Sequence, residues 1–346
     1  MSGSMLPAAI SIDPMNRTLT IGLINNMGDG ALEATERQFA TLLRAASAGI
    51  SVSLRLYALP GVPRSEQASR YIRAHYSNIE EMWDSPLDGL IVTGREPMTK
   101  DLRDEPYWKS FTRVLEWAHD HTFSTVWSCL AAHAAVLHMD DIDRVRSERK
   151  HFGVFDCTQV TSHCLTAGGP AGFRLPHSRW NGLAEETLTD CGYSVLTRTL
   201  HADVDTFIKQ NNSLFVFFQG HPEYDVNTLL LEYRRDVSRY IRGEAATHPS
   251  LPSGYFDAKT ALALSELAQE AQLSPREELI GAVSRVLGTV TVEHSWHSSA
   301  VCIYSNWLQY ILLQKAPALQ TAMIGNQLND AAASTTNLVG LGETST

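Results

Sequence analysis

Cysteine is scarce in this chain, and the five present (Cys129, Cys157, Cys164, Cys191 and Cys302) show no CxxC spacing and cannot all pair. This excludes a disulfide framework and a zinc knuckle, and leaves reduced thiols, any one of which could be a reactive thiolate. Long apolar runs are missing too. Stretches such as Ser213–Phe218 and Ile311–Leu313 fall far short of the roughly 20 residues a bilayer requires, so no membrane partner is expected. Met1–Asn16 has no basic flank followed by an apolar core of signal-peptide length, which predicts a cytoplasmic address. Lys plus Arg number 28 against 38 for Asp plus Glu, a net charge of −10, and no basic run could follow a phosphate backbone. Nucleic acid is therefore disfavoured as a partner. The glycines form neither GxGxxG nor GxxxxGKS, which removes support for a dinucleotide cofactor or a P-loop, and Met27-Gly28-Asp29-Gly30 is too short a signal for phosphate. His133 and His138 are five apart on one predicted helix and so do not form an i,i+4 ligand pair, and no metal site is read.

What remains is a chain of 346 residues, 44% hydrophobic and 19% charged, able to bury a large core. Arg17–Asn25 reads as a buried strand ending in a turn, and Ala31–Ala46 places Leu32, Phe39, Leu42 and Leu43 at helical spacing. The alternation continues with strands at Ile50–Ala58, Gly89–Thr93 and Phe123–Ser128. Helices are predicted at Gln67–Tyr76, Glu105–Asp120 and Leu130–His138. Such a βα register predicts an α/β fold, a mostly parallel sheet flanked by helices with functional groups at the carboxyl ends of its strands. Phe152–Thr199, richer in Thr, Gly and short β-type runs, suggests an antiparallel extension or loops over the sheet. Leu214–Phe218 is a further strand, and Thr228–Arg242 carries Leu229, Leu230, Tyr233, Val237 and Tyr240 on one helical face. The Pro-bounded stretch 247–287 around the helix Ala258–Ala271 reads as an extra helical insertion, and Ser305–Gln314 as a final amphipathic helix. One domain over 17–317 is expected, with flexible termini at 1–16 and 318–346.

Cys129 stands where the strand Phe123–Ser128 meets a helix beginning Leu130-Ala131-Ala132. The unpaired N–H groups of a helix start favour a thiolate and could hold an oxyanion; the alternative is an inert buried cysteine. A nucleophilic thiol needs a base and a group that orients the base. His221 and Glu223, two residues apart after the strand Leu214–Phe218, offer both if that strand lies beside the cysteine strand. Taken singly, His221 before Pro222 could be a turn residue and Glu223 a solvated acid. His294, Trp296 and His297 precede the last helix and suit packing or capping as well as ligation.

The strings WSCLAAHAAVL, QGHPEYDVNTLLLEYRRDV, LPHSR and SWHSSAVCIYSNWLQY, with DGLIVTG and YWKSFTRVLEWAHDH, resemble homoserine O-acyltransferases of the O-succinyltransferase type, within the class I glutamine amidotransferase-like superfamily. The likeness runs from about Thr18 to Pro317. It implies a flavodoxin-like, class I glutamine amidotransferase-like fold and a ping-pong transfer from acyl-CoA, as co-substrate, to the hydroxyl of homoserine or a related amino acid. No bound cofactor and a homodimer are further implications. By resemblance Cys129 is the acylated nucleophile, His221 the general base and Glu223 its partner; Arg235 and Glu232 bind the amino acid, and Arg179 holds substrate or is a structural cation. An arginine fork suits an α-carboxylate. Two departures stand out. The first loop, Asn25–Leu32, lacks the family's lysine and carries Asp29. The TGREPMTKDL loop has Arg95 and Glu96 where relatives have Ala-Pro, with Met98 at the position read as donor-sensing. Arg95 would then meet an anionic donor such as a succinyl carboxylate, or a neighbouring acid. Other readings are a glutaminase or amide hydrolase of the same superfamily, or a divergent relative that binds a metabolite without turnover.

Overall fold

The apolar runs of the first half become the parallel strands β1 (Thr18–Ile24), β2 (Ser51–Tyr57), β3 (Gly89–Thr93) and β4 (Ser124–Ser128). In β3 and β4 every residue is buried, as both-face coverage by helices requires. The computed structural model describes residues 17–170, 172–200 and 203–317. The two termini expected to be flexible lie outside the described residues. Helices α1 (Leu32–Ala46), α2 (Glu66–His75), α3 (Ile79–Met82), α4 (Trp108–His121) and α5 (Leu130–Asp140) connect and cover these strands. Helix α4 starts three residues after the expected Glu105, because Pro106 interrupts the approach and the Glu105 carboxylate instead accepts from the Met98 and Thr99 N–H groups at 2.6 and 2.8 Å.

The second half adds β5 (Val145–Gln159), β6 (Phe173–Gly182), α6 (Glu185–Asp190), β7 (Ser194–Thr199), β8 (Val204–Gln210) and β9 (Leu214–Phe218). The nine-stranded sheet runs β2-β1-β3-β4-β9-β8-β7-β5-β6. Pairing is parallel from β2 to β9 and antiparallel from β9 onward. Of the two expectations for the middle of the chain, the antiparallel extension is the one found. This half curls back: the His221 N–H donates to the Pro176 carbonyl of edge strand β6 at 2.8 Å, across the end of β9.

Apolar side chains pack on both faces of the sheet. One cluster holds Phe111, Trp127, Phe215 and Phe217; the other holds Phe39, Val126, Phe218 and Tyr304, with Trp307 and Ile311 from the last helix. That helix occupies residues 297–317, eight residues earlier than the expected Ser305 start. Helices α7 (Thr228–Ile241), α8 (Ala258–Leu273) and α9 (Glu278–Leu287) form a third cluster around Tyr233, Leu264, Val283 and Trp296. The chain leading into α8 crosses β5, with Val154 N–H to Ser253 O at 2.8 Å and Ser253 N–H to Phe152 O at 2.9 Å. Only glycine fits there. Gly153 has φ +142°, and a Cβ would lie 2.3 Å from the Ser253 oxygen.

Candidate active site

Residues Leu130–Leu137 of α5 are helix-favouring and mostly small, so this helix seats tightly against the sheet and buries all but its ends. Its N-cap is Cys129, in the sterically strained conformation φ +52°, ψ −112°. A non-glycine residue there costs on the order of 1–3 kcal/mol and persists only when its surroundings fix it. Here they do. The Cys129 N–H bonds Phe218 O at 2.7 Å, and its carbonyl accepts from Ala132 and His133 N–H at 2.9 and 3.3 Å. Gly94 leaves room for the turn, since a Cβ there would lie 2.5 Å from the Ala131 nitrogen. The Leu130 and Ala131 N–H groups, at the very start of α5, have no carbonyl partner within the helix.

Parallel pairing of β4 with β9 sets Ser128 beside Phe218, so the segment after β9 emerges next to Cys129. His221 Nδ1 lies 2.8 Å from Glu223 Oε1, which leaves Nε2 for the thiol, and the ring stacks on Tyr224 at a centroid distance of 4.2 Å. Cys129, His221 and Glu223 are all buried yet line one cavity. Burial alone would lower the His221 pKa. The charges of, and hydrogen bonds to, Cys129 and Glu223 outweigh it and raise the imidazole well above its ordinary 6.5.

The cavity measures about 1460 Å³ and is lined by arginines from several elements, among them Arg95, Arg144, Arg146, Arg149, Arg179 and Arg235, in a chain of net charge −10. Arg235 makes a fork to Asp236 at 2.8 Å, and Lys150 reaches the same carboxylate at 3.2 Å. Glu232 accepts from the Ser178 hydroxyl and from the Tyr224 hydroxyl at 2.7 Å. Arg95 makes one long bond, to Glu96 O at 3.4 Å, and its Nη1 is buried without a partner. Met98 stands apart: its side chain is exposed and is not among the cavity-lining residues. Asp29 also lines the cavity, but its charge is tied down by the Ser65 N–H at 2.7 Å and Arg64 at 3.5 Å. Burial, the largest single effect, raises its carboxyl, but the Ser65 hydrogen bonds and Arg64 together outweigh it and hold the carboxyl below the usual range. From the start of the 247–287 stretch, Thr247, His248 and Ser250 also line the cavity.

The sequence singles out Arg179, but not the buried His177 and Asp205 behind it. Arg179 Nε donates to His177 Nδ1 at 3.2 Å, and His177 Nε2 faces Asp205 Oδ1 at 3.0 Å. The other oxygen of Asp205 accepts from the Thr197 and Thr206 hydroxyls at 2.7 and 2.8 Å. His133 Nε2 lies 3.0 Å from Gln219 Oε1, and burial lowers its pKa to about 3, so it is neutral. His177 stands in the PHSR string next to residues already singled out; Asp205 carries no local signal. Cys157, His177 and Asp205 have donor atoms within 4.8 Å of one another, the one such group of three among the described residues. They do not fit a metal. With Nδ1 accepting from a guanidinium, the imidazole proton sits on Nε2, the atom that would have to ligate.

A family model for homoserine O-succinyltransferase matches residues 5–318. Curated homoserine O-succinyltransferases are similar at the sequence level. The Rhodopseudomonas palustris protein is 44% identical over 292 residues, 84% of this chain and 88% of that one. The Bradyrhizobium japonicum protein is 42% identical over 300 residues, 86% of this chain and 91% of that one. Among solved structures, a glutamine amidotransferase from Methylobacillus flagellatus aligns over 85% of this chain and 95% of its own, at 14% identity and a TM-score of 0.46.

Proposed function

This chain belongs to the homoserine O-succinyltransferase family, and from that premise we propose that it transfers an acyl group from acyl-CoA, by way of a Cys129 thioester, to the hydroxyl of homoserine or a related hydroxy amino acid. The observation that carries the reading is a strained cysteine at a helix start, facing a buried His221–Glu223 pair in an arginine-lined cavity. His221 takes the thiol proton as Sγ attacks the donor carbonyl; the C–S bond to CoA then breaks, and the same proton leaves on the CoA thiol. In the second half the acceptor hydroxyl gives its proton to His221 while its oxygen attacks the thioester, and Sγ departs and is reprotonated. Glu223 holds the Nε2-directed orientation and balances the imidazolium.

The cavity charge suits both substrates. An acyl-CoA brings phosphates, and Arg95, placed with an unpaired nitrogen in the wall, is the group proposed to meet an anionic acyl tail. Arg235, with Glu232 beside it, is proposed for the amino-acid carboxylate and ammonium. The partners on this reading are small molecules, and a homodimer is the expected assembly, to be checked by sedimentation.

Intact-protein mass spectrometry after incubation with succinyl-CoA or acetyl-CoA tests the proposal. The expected result is an adduct of the acyl mass on the peptide holding Cys129, lost on adding homoserine. No adduct and no CoA release with any donor, alongside ammonia release from glutamine, would replace acyl transfer with amide hydrolysis.

A further inference from the structure

We infer that Arg179 is the cation that stabilises the oxyanion in both half-reactions, and that Asp205 aims it through His177; this rests on the acyl-transfer reading above.

Arg179 is 4% exposed and lines the cavity that holds Cys129. Its hydrogen-bond acceptors are a neutral imidazole and the Asn181 carbonyl, the latter at 2.8 Å from Nη1, and neither is a carboxylate. Nη2 is buried with no partner at all. A buried guanidinium donor left without an acceptor is costly, and it is retained where an acceptor arrives during function. Arg179 and Cys129 line the same cavity, and Asp203, Cys129 and Asp205 are among the groups that act electrostatically on this guanidinium.

The aim of Nη2 is set from behind. Asp205 is gripped by two threonine hydroxyls and lies 3.0 Å from His177 Nε2, a close electrostatic contact that favours a proton there and leaves Nδ1 as the acceptor for Arg179 Nε. Nε and Nη1 are thereby both anchored, and the planar fork leaves Nη2 one direction. Other cations are less suited. Lys150 and Arg235 are paired with Asp236, Arg235 and Arg95 are assigned above to the acceptor carboxylate and the acyl tail, and the first loop offers Asp29 in place of a cation. As Sγ adds to the carbonyl carbon, the π pair moves to oxygen and Nη2–H donates to it; when the pair returns, the C–S bond of the leaving thiolate breaks.

Three rates on the full-length protein test this: CoA release in a single turnover without acceptor, deacylation by homoserine, and alkylation of Cys129 by iodoacetamide, a displacement that forms no oxyanion. Arg179→Met should slow both acyl-transfer steps by about 10²–10³-fold and change alkylation less than about threefold. Asp205→Asn keeps the guanidinium but loosens its aim. It should lower both steps together, with kcat reduced and KM unchanged, and Arg179→Lys should recover part of the loss. Slowing of deacylation alone would make Arg179 an acceptor ligand and overturn the inference. A parallel fall in alkylation would assign it to the thiol and overturn it equally. If the native protein forms no acyl adduct, the functional reading itself fails.

Discussion

Two buried histidine–carboxylate pairs lie within the same curl of the sheet, and they behave oppositely. His221 with Glu223 is raised well above the ordinary histidine value; His177 with Asp205 is lowered. Burial pushes both rings down. The difference lies in the third neighbour: His221 faces a thiol whose charge favours the imidazolium, whereas His177 faces the Arg179 guanidinium, which opposes it. On the proposed acyl-transfer reading, one pair moves a proton and the other holds still. A histidine beside an acid therefore carries no fixed role; the group on its far nitrogen assigns it.

The largest effect should come from removing the thiol. Cys129→Ala is expected to cut turnover by roughly 10⁴-fold or more, measured as CoA release. In histidine NMR titrations it should also lower the His221 pKa, with a smaller response at His177. Next, Glu223→Gln should reduce kcat by about 10³–10⁴-fold and weaken a pH dependence of stability to which Cys129 and Glu223 both contribute. The folded protein binds the His221 proton more tightly than the unfolded chain does. The associated stability is thus complete below pH 6.5 and is lost as pH rises through the raised folded value. Urea unfolding from pH 6 upward should show this slope in the native chain and a flatter one in the variant.

Asp205→Asn should cost about 1–3 kcal/mol at neutral pH, because a buried acceptor of two hydroxyls, close to an imidazole, is weakened. Hydrogen bonds and the His177 neighbour hold the Asp205 carboxyl below its ordinary 3.8 despite burial, so its contribution is present above that value and fades as pH falls through the depressed one. The gap between native and variant unfolding free energies should narrow in acid. Smallest is Thr206→Val, which removes one donor to Asp205 and should cost about 1 kcal/mol, with Cys129 acylation slowed only a few-fold.

How much of this was legible depended on which half of the sheet carried it. In the parallel half, β3, β4 and β9 are buried on both faces and read as unbroken apolar runs, and Cys129, His221 and Glu223 follow directly at their carboxyl ends. The antiparallel half writes a weaker signal. Strand β5 mixes exposed charges with three consecutive buried residues, and its register shifts between Arg146 and His151. The meeting of His177 with Asp205 is less visible still, since their strands are not neighbours in the sheet and come together only because it curls. The 247–287 stretch was recognisable as an addition to the alternating pattern. That its first residues wall the cavity depends on the crossing at Gly153, which no local periodicity encodes.

The bond from His221 N–H to Pro176 O has a bearing on solubility as well as on chemistry. Strand β6 ends the sheet, and an unpaired strand border invites recruitment of foreign chains. At Pro176 the ring removes one donor and the His221 N–H occupies the carbonyl, so the segment proposed to carry the base also closes part of that border to a foreign strand.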